Sequence, residues 1–270
     1  MSKSLSYNRH GFTLFLLSIC LMLIVFLGIT LTTILNGDYV KKVISSDENV
    51  SLIRSYSNQK LNRLVNSYSS VASVSTSLSR NDVKKIIGTS VDEVYDDDSK
   101  LTVGSSILDT IGGNLKKASK KQGLNINAEI NQTISVNKDL MNQMIDDDLG
   151  PINNLSIGIT KVRGIVKMVI LALAIIFVLL AVRLRAKVGS NMLFFHHLGT
   201  VGICTSILLA ILLAFIYFPI QNLISSNVEY NLHDVLYNVL NGIFLSYISI
   251  VFMVFILSLI DWGSTMKYKY

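Results

Sequence analysis

Two long stretches without a charged residue constrain the fold of this 270-residue chain more than any other feature. Residues 12–35 form an uncharged run of 24 residues, and residues 235–260 form another of 26. At about 1.5 Å per residue, a helix of either length crosses the roughly 30 Å hydrocarbon core of a bilayer. Half of the residues are hydrophobic and only 16% are charged, against about a quarter in soluble domains. The chain is therefore predicted to be an integral membrane protein.

Two further apolar segments lie between these runs. Residues 165–182 contain one charge, Lys167, which is near enough to the segment boundary for its side chain to reach the lipid headgroups. Residues 198–224 are uncharged, but Pro219 is expected to break that helix near its end. The first run is longer than the apolar core of a signal peptide, and no small-residue cleavage site follows it, so it is interpreted as a retained anchor. The sequence thus predicts four transmembrane helices.

The distribution of basic residues predicts the orientation. Four membrane helices would place the N-terminal tail, the connection between the second and third helices and the C-terminal tail on one side of the membrane. These three segments carry Lys3, Arg9, Arg183, Arg185, Lys187, Lys267 and Lys269. Asp261 is the single acid in those segments, whereas residues 225–234 hold two acids and no Lys or Arg. Because cytoplasmic loops carry an excess of Lys and Arg, both termini are expected on the cytoplasmic side of the plasma membrane.

These patterns give a domain map of four membrane helices and their connections. In residue numbers, it consists of a cytoplasmic tail (1–11), transmembrane helix 1 (12–36), an extracytoplasmic domain (37–163), transmembrane helix 2 (164–183), a cytoplasmic loop (184–197), transmembrane helix 3 (198–222), a short outer loop (223–235), transmembrane helix 4 (236–260) and a cytoplasmic tail (261–270).

The extracytoplasmic domain is expected to be mainly helical. Apolar residues recur at steps of three and four over residues 50–78, 82–94 and 105–115, which is the spacing of amphipathic helices. Ser79 and Asp82 are placed to cap the second of these helices. Residues 124–136 are ambiguous, because their alternation favours a short β element while Ile126, Ile130 and Ile134 have helical spacing. The fold class is therefore all-α, with a weakly favoured strand near residues 124–136 and a helix break expected at Gly150-Pro151.

A short internal similarity occurs within this domain. The motif VKKVI at residues 40–44 resembles VKKII at residues 83–87, and an Asp-Glu pair follows each motif within a few residues. A duplicated helical hairpin would produce this pattern, but chance similarity between two amphipathic helices is favoured.

No residue pattern indicates catalysis or cofactor binding. The histidines at positions 10, 196, 197 and 233 are not accompanied by a nucleophile motif, a metal-binding spacing or a phosphate-binding glycine loop. The acidic triplets at residues 96–98 and 146–148 lack the spacing of a calcium loop, so they are interpreted as solvated loop residues. Neither an enzyme nor a cofactor or metal site is predicted, and the nearly neutral outer domain argues against nucleic acid as a partner.

Two basic clusters and one set of small or polar membrane residues are the candidate functional positions. The clusters are candidate partner contacts: Arg183, Arg185 and Lys187 in the cytoplasmic loop, and Lys116, Lys117, Lys120 and Lys121 at a helix end. A solvated helix end is favoured for the second cluster. The membrane residues are Ala210, Ala214, Asn238, Asn241, Gly242 and Ser246. Small residues four apart and polar side chains let membrane helices approach and bond, so packing is favoured over a substrate path.

The topology leads to two functional hypotheses. The favoured one is a non-enzymatic multi-pass scaffold or sensor, which acts through its outer domain on a membrane or surface protein. The alternative is a subunit of a transport complex, because one helix, a large outer domain and three further helices resemble the FtsX and MacB type of ABC permease. That resemblance implies that residues 183–197 contact an ATPase, although they lack the acidic, glycine-containing stretch expected there. The sequence leaves the oligomeric state open.

Overall fold

The computed structural model describes residues 4–67, 77–95, 103–121, 123, 127–227 and 230–268. In these ranges the chain forms eight α-helices and one short 3-10 helix, and it contains no strand. The α-helices are α1 (Ser4–Thr32), α2 (Gly37–Ile44), α3 (Asp47–Ser67), α4 (Arg80–Tyr95), α5 (Val103–Lys121), α6 (Asn127–Val188), α7 (Asn191–Asn227) and α8 (Tyr230–Thr265). The 3-10 helix spans Met266–Tyr268.

Four of the described helices contain segments long and apolar enough to cross a membrane, which confirms the predicted number. The segments are Gly11–Thr32, Gly158–Val188, Asn191–Ser226 and His233–Thr265. Their large apolar side chains are widely exposed; Met168 of α6 is 76% exposed and Phe215 of α7 is 75% exposed. Exposing such apolar surfaces to water is unfavourable, whereas contact with lipid acyl chains is not. The four helices therefore fit a multi-pass membrane protein.

The predicted strand near residues 124–136 is wrong from Asn127 onward, because α6 begins there. Residues 124–126 lie outside the described ranges. The four-residue spacing of the isoleucines, rather than the alternation, reflects the actual conformation of the described part. The expected end of the helix at Gly150-Pro151 is also wrong, since α6 continues through both residues.

The prediction that Pro219 breaks its helix is wrong for a related reason. This proline lies inside α7, which continues to Asn227. A proline removes one backbone hydrogen bond, but the remaining bonds of a long helix persist, and membrane helices tolerate such interruptions. The predicted helix over residues 50–78 is likewise too long, because Leu78 lies outside any helix.

The chain divides into two compact units. One comprises Met1–Leu35, Arg163–Leu223 and Leu240–Tyr270, and the other comprises Asn36–Val162 and Ile224–Val239. We call the first the membrane unit, because it holds most of the candidate spans, and the second the polar unit.

In the polar unit, α4 packs against α2, α3 and α5. The buried core consists of Val50, Leu78, Val83, Ile87, Val91 and Ile111. Leu78 is 3% exposed even though it precedes α4, because Asn58 bonds to its backbone: Asn58 Oδ1 accepts from the Leu78 amide at 2.7 Å. The Leu78 side chain thereby enters the core from the turn before the helix.

The start of α4 has the predicted cap. The Asp82 amide donates to Ser79 Oγ at 3.2 Å, and the Ser79 amide donates to Asp82 Oδ2 at 2.9 Å. These reciprocal bonds satisfy two backbone donors that a helix start would leave unpaired. In the same way, Asn36 Oδ1 accepts from the amides of Asp38 and Tyr39 at the start of α2.

In the membrane unit, α1, α6 and α7 meet around buried Leu17, Leu184 and Val201. A side-chain-to-backbone hydrogen bond supports this contact, since Thr205 Oγ1 of α7 donates to the Ser18 carbonyl of α1 at 3.0 Å. The connection from α6 to α7 is a tight turn at Gly189, whose φ of 73° favours glycine.

Candidate functional site

In the membrane unit, α7 and α8 approach each other closely at Gly199. A Cβ atom added to Gly199 would lie 2.7 Å from the backbone nitrogen of Trp262, so only glycine allows this approach. One turn further along α7, a Cβ atom added to Gly202 would overlap the side chain of Ser258. Small residues at such positions let membrane helices pack backbone to backbone.

His196 lies at the same end of the pair and is 3% exposed. Its ring stacks on Trp262 with a centroid distance of 5.6 Å, and its Nδ1 lies 3.3 Å from Thr265 Oγ1. These contacts give the buried imidazole an aromatic neighbour and a polar one, so His196 acts as a packing residue between α7 and α8.

Beyond Gly202, an apolar groove opens between α7 and α8. It has a volume of about 820 Å³. Its walls are formed mainly by large apolar side chains, including Ile207, Leu213 and Phe218 of α7 and Leu245, Ile248 and Phe252 of α8. No charged side chain lines it. The groove can therefore accommodate an apolar group of lipid-like chemistry.

A polar pair lies at the opposite end of the groove from Gly202. Tyr217 Oη donates to Asn241 Oδ1 at 2.8 Å, and the Tyr217 ring packs on Phe244 with a centroid distance of 4.7 Å. Asn241 Nδ2 has no hydrogen-bond partner in the described ranges. The pair thus joins α7 to α8 and leaves amide donors available to a ligand.

Four of the six predicted packing residues line this groove: Ala210, Ala214, Asn241 and Gly242. Both alanines are exposed, so the small residues of α7 leave open space instead of contacting α8. Ser246 is half-buried and its hydroxyl donates to the Gly242 carbonyl at 3.4 Å within α8.

The sixth predicted packing residue, Asn238, belongs to the polar unit. Its Nδ2 donates to Oδ1 of Asn49, at the start of α3, at 3.2 Å. Asn49 is 1% exposed, and its own Nδ2 donates to the Val43 carbonyl at 3.0 Å. The first turns of α8 are thereby bonded to the small helices of the polar unit.

The two similar motifs of the polar unit contact each other reciprocally. Lys41 of the first motif lies 2.7 Å from Asp92, which follows the second. Lys84 of the second motif lies 2.9 Å from Asp47, which follows the first. The lysines occupy equivalent positions of the motifs, as a duplicated hairpin would place them. Two lysine-bearing helices that pack side by side also produce this pattern.

Two carboxyl groups of the polar unit are held in the charged form. A hydrogen bond from Lys84, and then its charge, lower the pKa of Asp47. For Asp82, burial acts to raise the pKa, but hydrogen bonds from Ser79 and Asn114 and the charge of Lys117 outweigh it, so the pKa is lowered. Both carboxylates stabilise their neighbours, and neither indicates acid–base chemistry.

The structure places the predicted basic clusters on the surface. Arg183 and Lys187 at the end of α6 are exposed and Arg185 is half-buried. Their side chains form no ion pair with described residues. In the second cluster, Lys117, Lys120 and Lys121 at the end of α5 are exposed and Lys116 is half-buried. Within the described ranges, no group of three or more His, Cys, Asp or Glu residues could hold a metal ion.

The roles of several structurally important residues were not predicted from the sequence. Arg163 donates from Nε and Nη2 to the Leu35 carbonyl, at 3.0 and 2.6 Å, and so caps the chain after α1. Gly199 and Gly202 carried a signal, because small residues are enriched where membrane helices pack closely. Asn49 and Asn238 carried none that would pair them.

Comparison with known proteins gave no matching family model, no similar curated protein and no similar solved structure.

Proposed function

We propose that this protein is a non-enzymatic membrane scaffold or sensor, whose polar unit lies outside the cytoplasm and passes its state through α8 to a membrane partner. The orientation follows from charge: seven lysines and arginines and one acid occupy the three segments assigned to the inside. The polar unit then faces the outside, together with the short connection between α7 and α8.

One observation carries the proposal. The polar unit includes residues 224–239, which are the end of α7 and the beginning of α8. Asn49 and Asn238 bond the beginning of α8 to α3. A ligand or partner that displaces α3 would therefore act on the beginning of α8, and the later residues of that helix belong to the membrane unit.

The basic residues at the end of α6, which form no ion pair with described residues, support a partner on the inner side. Arg183 and Lys187 are exposed in the last two turns of α6, just before the turn at Gly189. An acidic surface of a protein partner would pair with them.

The same residues favour the second candidate function, a subunit of a transport complex. In the permease plan described above, this connection contacts an ATPase. Arg183, Arg185 and Lys187 would then supply a basic docking point for that partner.

Photo-crosslinking in native membranes tests both functions. A photoreactive amino acid replaces Lys187, and cross-linked proteins are identified by mass spectrometry. The scaffold or sensor function predicts one dominant membrane protein, with a yield that changes when Asn238→Ala is introduced. A dominant ATPase would support the transport function instead. Cross-links only to lipid, or none at all, would contradict both.

Cysteine labelling tests the orientation separately. Lys121→Cys and Lys187→Cys variants, each in a Cys204→Ser background, are treated with a membrane-impermeant maleimide in intact cells. We expect Cys at position 121 to be labelled at once, and Cys at position 187 only after permeabilisation. The reverse order would overturn the proposed orientation.

A further inference from the structure

The groove between α7 and α8 is bounded at both ends. Gly202 against Ser258 closes it at one end, and Tyr217 against Asn241 and Phe244 closes it at the other. Its lining on α7 runs from Ser206 to Phe218, which corresponds to about 18 Å along the helix. One leaflet of a bilayer core is about 15 Å thick, so the groove is about one leaflet long. A transmembrane partner helix would extend across both leaflets.

The polarity of the groove follows a definite order along its length. Its middle is lined by apolar side chains. On α7, Ala210 and Ala214 leave room for a ligand because they are small and exposed. Tyr217 and Asn241 line one end of the groove, and along the chain they flank residues 224–239 of the polar unit. Tyrosine is enriched at the level of the lipid headgroups, where its ring is in apolar surroundings and its hydroxyl is polar.

Asn241 provides the hydrogen-bonding group at that end. Its Oδ1 accepts from Tyr217 Oη, which orients the amide so that Nδ2 carries two N–H groups with no acceptor among the described residues. A hydrocarbon chain alone cannot accept these bonds. The ester and phosphate oxygens of a glycerophospholipid can, and in such a lipid they stand directly beside the start of the acyl chain.

We infer that this groove binds one membrane phospholipid, with an acyl chain along Ala210 and Ala214 and an ester or phosphate oxygen at Asn241 Nδ2. The match of length and of the order of polarity favours a lipid over a partner helix. The inference does not rest on the proposed scaffold or sensor function. Since lipid binding to α8 would alter the helix that carries the proposed signal, it would also give that function a lipid dependence.

A photoreactive lipid tests the inference on the full-length protein. The probe is a phosphatidylglycerol with a diazirine near the end of one acyl chain, incorporated into phosphatidylethanolamine–phosphatidylglycerol vesicles with the purified protein. We expect labelling to saturate as the probe fraction rises, and labelled peptides to map to residues 206–218 and 241–255. Unsaturable labelling, equal on α6 and in the groove, would indicate bulk lipid only and would overturn the inference.

Matched tryptophan substitutions provide the decisive comparison. Ala214→Trp fills the groove, whereas Ala172→Trp adds the same bulk at an exposed position of α6 outside it. We expect groove labelling to fall at least severalfold in the first variant and to stay unchanged in the second. Equal labelling in both variants would contradict the inference.

Asn241→Ala tests the polar end without adding bulk. We expect this variant to keep its fold, to retain less co-purified phospholipid in mild detergent than the wild-type protein, and to require more probe for half-saturation. If the amount of probe needed for half-saturation is unchanged, Asn241 does not belong to the binding site. A co-purifying protein that cross-links to a photoreactive residue at Ile207 would show that a partner helix, and not a lipid, occupies the groove.

Discussion

Asn238 Nδ2 donates to Asn49 Oδ1 at 3.2 Å, although 189 residues separate the two asparagines in the chain. Asn49 is almost fully buried, and it also donates to the Val43 carbonyl. A buried amide that loses a partner pays the full cost of its desolvation, so both bonds restrict where α8 can lie relative to α3 within the polar unit. This link is the physical basis of the proposed signal.

The cap of α4 gives the first prediction. Ser79→Ala removes the hydroxyl that accepts from the Asp82 amide, and loss of such a cap destabilises a helix by about 1 kcal/mol. We expect faster hydrogen exchange at the first turn of α4 in the full-length protein. Ser90→Ala is the control and is expected to be nearly neutral, because the only described partner of the Ser90 hydroxyl is the Ile86 carbonyl of its own helix. Equal effects of the two variants would exclude a capping role for Ser79.

The lowered pKa values of Asp47 and Asp82 give a prediction for acid stability. A carboxyl group whose pKa is lower in the folded than in the unfolded state stabilises the fold above its unfolded value, here the usual 3.8. That contribution is lost as the pH falls through the lower, folded pKa. We expect the calorimetric transition of the polar unit to change little from about pH 8 to about pH 5 and to move to lower temperature below about pH 4.

Asp82→Asn provides the control for this pH dependence, because the amide does not titrate. The variant should be less stable than the wild-type protein at neutral pH and should lose less stability on acidification. An acid response that is unchanged by the substitution would mean that other carboxyl groups cause it.

The contact between Gly199 and Trp262 gives the third prediction. Gly199→Ala places a Cβ atom 2.7 Å from a backbone nitrogen, so the two helices must separate, at a cost of about 1–3 kcal/mol. Gly164→Ala is the matched control in α6, because nothing lies within 4 Å of an added Cβ there, and alanine favours the helix by up to about 1 kcal/mol. Detergent denaturation should distinguish the two variants. A tolerated Gly199→Ala would contradict the close packing.

Arg163 gives a fourth prediction. Arg163→Met leaves the Leu35 carbonyl without its two donors, and loss of charge-assisted hydrogen bonds costs about 2 kcal/mol. Hydrogen exchange at Thr33 and Leu35 should accelerate in the full-length protein. Arg163→Lys should restore only part of the protection, because an ammonium group lacks the planar geometry of guanidinium. Lys161→Met, at a neighbouring exposed position, should leave this exchange unchanged. If exchange at Thr33 and Leu35 also accelerates in Lys161→Met, the effect is one of general charge and not of the Arg163 hydrogen bonds.

The sequence predicted those parts of the fold that depend on local chemistry. The uncharged runs predict the membrane helices because bilayer thickness sets their length, and the four apolar helices of the structure confirm their number. The cap at Ser79 was predictable because its partners are within three residues. The strand and the two helix breaks were wrong, since alternation over a few residues and single prolines are weak signals inside a long helix.

The contacts that define the candidate site could not be predicted from the sequence. Several pairs of small residues occur in α7 and α8, and composition alone does not show that Gly199 and Gly202 are covered while Ala210 and Ala214 are open. Only the packing of the two helices decides between them. The bond between Asn49 and Asn238 is similarly invisible, because both residues are polar positions in helices far apart in the chain.

Hydrogen exchange of the full-length Asn238→Ala variant tests the central claim most directly. The substitution is on α8, removes one hydrogen bond to Asn49 and leaves the bond from Asn49 to Val43 in place. Since a hydrogen bond contributes about 1 kcal/mol, we predict roughly fivefold faster exchange at the amides of Asn49 and Val50 on α3, with α5 unchanged. Exchange on α3 that matches the wild-type protein would contradict the coupling between α3 and α8.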